Sequence, residues 1–239
     1  MKKLSLIPLQ TGVAALLLAA ASLPAHAISY TVQSGTYFST QAGANTIDFG
    51  VSEPNNSGPV AGSAAMGDTV YGGSAGGVDY NYVDGALYNL TTSPITDITA
   101  RPMGSEGNFW SVGNSPASQV GPGVASFLSG LSYFGFLWGS PDAHNTVSFY
   151  DGQTLLGTFL GGAALDPADG NQAVAKYFNV FAGANEQITR VTFASSANAF
   201  ETDNHAFVSA VPEPETYAML LAGLGLVGSL VRRRKNQNR

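Results

Sequence analysis

Between residues 28 and 211 apolar side chains come in short runs broken by Gly, Asn, Asp, Ser and Pro, and no stretch keeps a helical period over three turns. Runs of this kind predict strands and turns. Residues 29–32, 78–83, 95–98, 131–138, 173–181, 188–193 and 206–208 read as strands. Residues 145–150 and 153–156 flank Asp151-Gly152, a pair that predicts a two-residue hairpin loop with positive φ at both central positions. The segment 133–138, Tyr-Phe-Gly-Phe-Leu-Trp, is apolar at almost every position, as a strand covered on both faces must be. Residues 53–62 and 72–77, rich in Gly, Pro, Asn and Ser, read as long loops. Many short strands without intervening helices predict an all-β fold, an antiparallel β-sandwich of jelly-roll-like form.

The two ends follow a different pattern. Lys2 and Lys3 precede an apolar run over 13–21, and Ala25-His26-Ala27 is a small-x-small cleavage site; residues 1–27 read as a signal helix removed before Ile28. At the other end Val211-Pro212-Glu213-Pro214-Glu215 leads into the uncharged, mostly apolar stretch 217–231 and then Arg232-Arg233-Arg234-Lys235. A helix of that apolar length spans roughly 22 Å at about 1.5 Å per residue, short of a full hydrocarbon core unless its flanks snorkel. The basic cluster stays cytoplasmic, which puts the preceding chain on the far side of the inner membrane. Pro212, Glu213 and Pro214 keep the connecting segment extended and accessible to a processing enzyme. The domain boundaries drawn from these patterns are 1–27 signal peptide, 28–211 passenger and 212–239 anchor tail.

The tail resembles the PEP-CTERM sorting signal, in which a Val-Pro-Glu-Pro opening, a small-residue apolar helix containing Gly223-Leu224-Gly225 and a basic cluster follow in this order. The resemblance implies recognition by an exosortase, a membrane-embedded cysteine transpeptidase, in bacteria that build an exopolysaccharide matrix. Residues 131–162 also resemble the core segment of one family of PEP-CTERM passengers, and the run Phe200-Glu201-Thr202-Asp203-Asn204-His205-Ala206 resembles that family's closing strand. That resemblance implies an exosortase-dependent surface protein and transfers no catalytic residue.

Formal net charge is −6, but the passenger holds only Arg101, Lys176 and Arg190 against fourteen acidic side chains, a net −11. Charge of that sign repels nucleic acid and anionic membrane surfaces. The chain has no cysteine, which removes disulfides, thiolate nucleophiles and cysteine-ligated metals. Stability must come from burial, and 13 Phe, 10 Tyr and 2 Trp supply it.

Several constellations carry candidate chemistry. Gly72-Gly73-Ser74-Ala75-Gly76 has the spacing of a hydrolase nucleophile elbow, with Asp142 and His205 following in order, but the strand-like 78–82 stands where the elbow needs a helix. The glycines of 223–228 match a dinucleotide loop only in spacing, with no preceding strand. Paired carboxylates act on glycosidic bonds when held at the right separation, which sequence does not set. Glu201, Asp203 and Asn204, with Asp142 and Asn145, are hard oxygen donors of the type that suits Ca²⁺, although Asp and Asn at turns also bond their own backbone. His144 and His205 are too few for a zinc site. Trp110, Tyr133 and Trp138 suit either a core or a sugar-stacking platform. The sequons at Asn55 and Asn89 carry no expectation in a bacterium of this kind. The reading these patterns support is a non-enzymatic exported protein with a structural or adhesive role in an exopolysaccharide matrix or biofilm. A carbohydrate-binding module and a secreted carbohydrate-active enzyme are the rivals.

Overall fold

The computed structural model of the chain describes residues 28–210 except 55, 57, 62–67, 92–97 and 114–120, together with Leu221, Gly223, Leu224 and Val227. The expected signal helix with Ala25 and Ala27 lies outside the described residues. So do the sorting residues Val211, Pro212, Glu213, Pro214, Arg232, Arg233 and Arg234, most of the 217–231 helix, and the predicted strand 95–98 apart from Ile98, which is in a turn. The regular structure of the rest is almost entirely antiparallel strand, as the run pattern predicts.

Twelve strands form one hydrogen-bonded network. They are β1 (Ser29–Gln33), β2 (Asn45–Ile47), β3 (Thr69–Ala75), β4 (Val78–Val83), β5 (Ala86–Tyr88), β6 (Phe109–Val112), β7 (Gly123–Gly139), β8 (Asn145–Asp151), β9 (Thr154–Leu160), β10 (Ala175–Phe181), β11 (Ile188–Ser195) and β12 (Phe200–Ser209). The seventeen-residue β7 organises them. Its first half pairs with β4 and β11, and its second half pairs with β10 and β12. Between the halves the register against β11 jumps from Ile188↔Leu131 to Arg190↔Ser126, so four residues of β7 oppose one of β11. Such an excess bends a strand. The bend brings Phe127 of the first half to 5.5 Å from Phe134 of the second, and the inward side chains of both halves share one core with those of β4, β6, β8, β10, β11 and β12.

Beyond the bend, the alternation along β7 sorts two apolar sets. Phe134, Phe136 and Trp138 enter the main core, whereas Tyr133 and Leu137 join Tyr177 and Ala206 in a second cluster on the opposite face, under Tyr37 and Ala44. The segment 133–138 is therefore covered on both sides, as its unbroken apolar run requires.

Two turns differ from their sequence reading. Residues 72–77, expected as a loop, are mostly strand: β3 pairs with β4 around a turn at Gly76-Gly77, with φ of 54° and 77°. Glycine content hid an edge strand whose small residues lie against its neighbour's rings; a Cβ on Gly73 would stand 2.7 Å from the Tyr80 hydroxyl. The β8–β9 hairpin exists, but its register pairs Asp151 with Thr154, so the loop is Gly152-Gln153 and not Asp151-Gly152. Only Gly152 has positive φ, 56°, the pattern of a II′ turn with glycine in the first central position.

Candidate functional site

Polar and ionisable side chains concentrate on β12, the strand with neighbours on all sides: β7, β6 and β2. From Phe200 its residues alternate, with Phe200 in the core and Glu201 and Asp203 on the outer face. The register against β7 then slips between Asp203 and Ala206, and Asn204 takes φ +48°. This bulge inserts one residue and so exchanges the faces. His205 turns into the aromatic core, Ala206 packs in the outer cluster, and Phe207 returns to the core. Asn204 is held by its own groups: its carboxamide donates to the Tyr37 carbonyl at 3.0 Å and its carbonyl accepts from the Tyr177 hydroxyl at 2.9 Å.

On the inner face His205 is fully buried among Phe49, Tyr82, Trp110, Phe134, Phe136 and Phe193, with ring centroids 5.0 to 6.1 Å away. Its Nδ1 lies 2.9 Å from the Tyr82 hydroxyl, and its Nε2 has no hydrogen-bond partner. Burial takes its pKa down to about 3, so the ring is a neutral part of the core, and burial raises the Tyr82 phenol well above its ordinary value.

On the outer face Glu201 is 3 % exposed and Asp203 is sealed. Glu201 binds a segment that crosses above it. One oxygen accepts from the Ala100 N–H at 2.8 Å and the Thr99 hydroxyl at 3.2 Å; the other accepts from Ser140 at 3.1 Å. Burial pushes its carboxyl up to about 7 against these donors. Asp203 accepts from the Asn204 N–H at 2.7 Å through Oδ1, its Oδ2 has no partner, and burial pushes it up to about 7 as well. The same segment carries Arg101, which the sequence did not single out. Arg101 donates to the Leu90 carbonyl at 2.6 Å, Asn89 Oδ1 at 2.8 Å and the Ser105 carbonyl at 3.2 Å, and covers Phe109 at 5.9 Å. Burial lowers its pKa, with Asp203 and Glu106 acting in the opposite direction. Nothing in the local string Thr-Ala-Arg-Pro-Met announces that role, because every partner comes from elsewhere in the fold or from carbonyls.

Set against the sequence candidates, the geometry separates what spacing had grouped. Ser74 is exposed on β3 opposite Asp79, Asp142 sits in a loop 3.5 Å from His144, and His205 is enclosed with Tyr82. The Ser74, Asp142, His205 triad is not assembled, and β4 follows Ser74 where an elbow needs a helix. Trp110, Tyr133 and Trp138 are core residues and offer no face to a sugar. Of the Ca²⁺ candidates, both carboxylate oxygens of Glu201 are engaged by protein donors, the Asn204 backbone carbonyl accepts from Tyr177, and Asp203 Oδ2 has no hydrogen-bond partner. Asn145 Oδ1 accepts from the Asp142 N–H at 3.0 Å and from Trp138 Nε1 at 3.3 Å, so Asn145 organises a turn. Among the described residues no group of three or more His, Cys, Asp or Glu is placed to hold a metal ion.

The functional signal that remains is the one at the carboxyl end. Residues 210–235 match the family model for the PEP-CTERM protein-sorting motif. The chain carries a PEP-CTERM sorting signal. The match begins at Ala210, one residue after β12, so the motif is joined directly to the strand that anchors the sheet. The Ala210 N–H donates to the Gly130 carbonyl at 2.8 Å at the bend of β7, which fastens the start of the motif to the passenger. Comparison with curated proteins and with solved structures found no significant match. Among the described residues no helix is long and apolar enough to cross a membrane.

Proposed function

We propose that this is an exported protein delivered across the inner membrane by its signal peptide. On this reading the 217–231 helix holds it briefly, and an exosortase cuts it near Pro212–Pro214 and sorts it to the cell surface. The observation that carries this reading is the match of residues 210–235 to the PEP-CTERM motif. Attachment of that motif directly after β12 supports it, since Ala210, where the motif begins, follows the last residue of that strand and is hydrogen-bonded to Gly130. We read the doubled-over sheet as a jelly-roll-like sandwich, supported by the main core enclosed between the two halves of β7.

The passenger's own role on this proposal is structural or adhesive, within an exopolysaccharide matrix or biofilm, and not catalytic. What supports a non-catalytic role is the disposition of the reactive side chains. The carboxyls of Glu201 and Asp203 are buried, Glu201 beneath the segment that binds it, and His205, the base candidate for Ser74, is enclosed in the aromatic core. The deciding measurement is mass spectrometry of the extracellular form. The expected result is a chain beginning at Ile28 and lacking Arg232–Arg234; recovery of the intact tail on the secreted protein would overturn the sorting claim. Turnover of matrix polysaccharide by the purified protein, read as new reducing ends, would overturn the non-catalytic one.

A further inference from the structure

Sheet edges are where two copies of a β protein join unless something prevents it, because alternate residues of an edge strand turn unpaired N–H and C=O groups outward. The edges of this fold are unequally protected. β5 is three residues long and wholly buried, and the exposed residues of β3 are Thr69, Gly72, Gly73 and Ser74, none of them a large apolar one. β9 is different. Like β3 it is seven residues long, has one partner strand among the described residues and carries neither charge nor proline, but its Thr-Leu-Leu-Gly-Thr-Phe-Leu bears large apolar side chains.

Large apolar side chains are exposed along the same edge. Leu155 is 49 % and Leu160 56 % exposed, and Tyr30 of β1, 44 % exposed, stands 4.8 Å from Phe159. β1 is itself an uncharged edge strand, and Ile28 beside it approaches Gly157, so the free edges of β1 and β9 lie on one side of the molecule. Leu155 opposes Tyr150 and Leu160 opposes Thr146 in the β8 register, with a bulge between them that sets both leucines on one face. The nearest carboxylate on the hairpin, Asp151, is turned toward β11 and accepts from the Gln187 N–H at 3.2 Å.

We propose that β9 is a self-association edge: two copies of the chain pair β9 to β9, antiparallel about a two-fold axis, and continue the sheet from one molecule into the next. The occupant is argued from charge. The passenger carries fourteen acidic side chains against three basic ones, so two copies repel over most approaches, and this edge is one along which neither presents a carboxylate. A two-fold arrangement is self-complementary. The exposed leucines sit at opposite ends of the strand, so antiparallel alignment sets Leu155 of one copy beside Leu160 of the other, while Thr158 lies near the axis.

The absence of cysteine makes the test direct. Thr158→Cys and Ser74→Cys are introduced separately into the full chain, the second on the opposite edge strand β3, and each is treated with a short bismaleimide. The expected result is at least tenfold more covalent dimer from Thr158→Cys than from Ser74→Cys, reduced at least fivefold when Leu155→Lys and Leu160→Lys are added. Both leucines are exposed, so the added lysines leave the fold intact, checked by circular dichroism; Leu160→Glu is the second variant should they not. Equal cross-linking at the two positions, a larger yield from Ser74→Cys, or dimer undiminished by the charged variants would overturn the proposal.

Discussion

On the inner face of β12 His205 stands among six aromatic rings and burial takes its pKa down to about 3; on the outer face Glu201 and Asp203 lie under a crossing segment and burial takes theirs up to about 7. One strand thus stores a base that stays neutral and two acids that stay protonated until near neutrality. Desolvation disfavours charge of either sign, so the direction of each shift follows from the type of group and not from which face it occupies. The faces differ in what opposes the shift. Glu201 is served by three donors from distant segments, whereas His205 has the Tyr82 hydroxyl and otherwise only ring contacts.

The comparison depends on the bulge, and removing it has the largest effect. Asn204→Val puts a β-branched residue where φ is +48°; straightening the strand to avoid that conformation restores strict alternation, puts His205 on the Glu201 face and drives Ala206 into a site shaped for an aromatic neighbour. The expected outcome is a large loss of stability, read as a lower urea midpoint and weaker near-ultraviolet circular dichroism; a midpoint equal to the parent's would refute the assigned bulge. Next in size, Phe193→Ala removes a ring stacked 5.5 Å from His205 and costs about 3–5 kcal/mol in urea denaturation. It also moves the histidine pKa upward by admitting water, measurable by NMR titration.

The pH dependence sharpens the contrast at intermediate size. The folded carboxyls at about 7 lie above their unfolded values, so their contribution to stability is complete below about 4 and is lost as pH rises through 7. The histidine at about 3 lies below its unfolded value near 6.5, so its contribution is present above 6.5 and is lost as pH falls toward 3. Between about 4.5 and 6.5 two carboxyls oppose one histidine, and stability falls with rising pH. Glu201→Gln removes one carboxyl and flattens that slope, a change of about 1–3 kcal/mol across the window. Denaturant midpoints at pH 4.5, 5.5 and 6.5 decide it; a slope as steep in the variant as in the parent would show that Glu201 ionises freely. Tyr82→Phe has the smallest effect, about 1 kcal/mol in thermal unfolding, because it removes one hydrogen bond and leaves the ring packing. A loss several times larger would mean that the Tyr82–His205 pair, not the rings, holds the inner face.

Much of the fold was legible where one segment contained its own explanation. The unbroken apolar run 133–138 announced a strand buried on both sides, and Tyr133 and Leu137 do lie opposite Phe134 and Phe136. The alternation of 78–83 and 188–193 likewise marked β4 and β11. The pattern of residues alone did not mark the first half of β12 as strand; only the resemblance of 200–206 to the closing strand of a passenger family did. Glu-Thr-Asp-Asn-His is a polar run, and its burial depends on Thr99, Ala100 and Ser140, which are far away in the chain. β2, β5 and β6 are too short for a period to show, and β3 was masked by its glycines. The candidate chemistry failed as a group for the same reason: Ser74, Asp142 and His205 follow in the right order, but order along a chain says nothing about which face of a sheet each residue reaches.

By itself the sequence determined the class of the protein and its address. Short apolar runs between turn formers specify antiparallel strands, and the sorting motif at 210–235 is read as a linear string whose parts need only follow in order. Only the tertiary structure decided where the ionisable groups went. A single inserted residue at Asn204 exchanged the faces of β12, and the bend in β7 folded one sheet around one core. Both are consequences of pairing between distant segments, whose register is set by mutual burial and is not written in either strand alone.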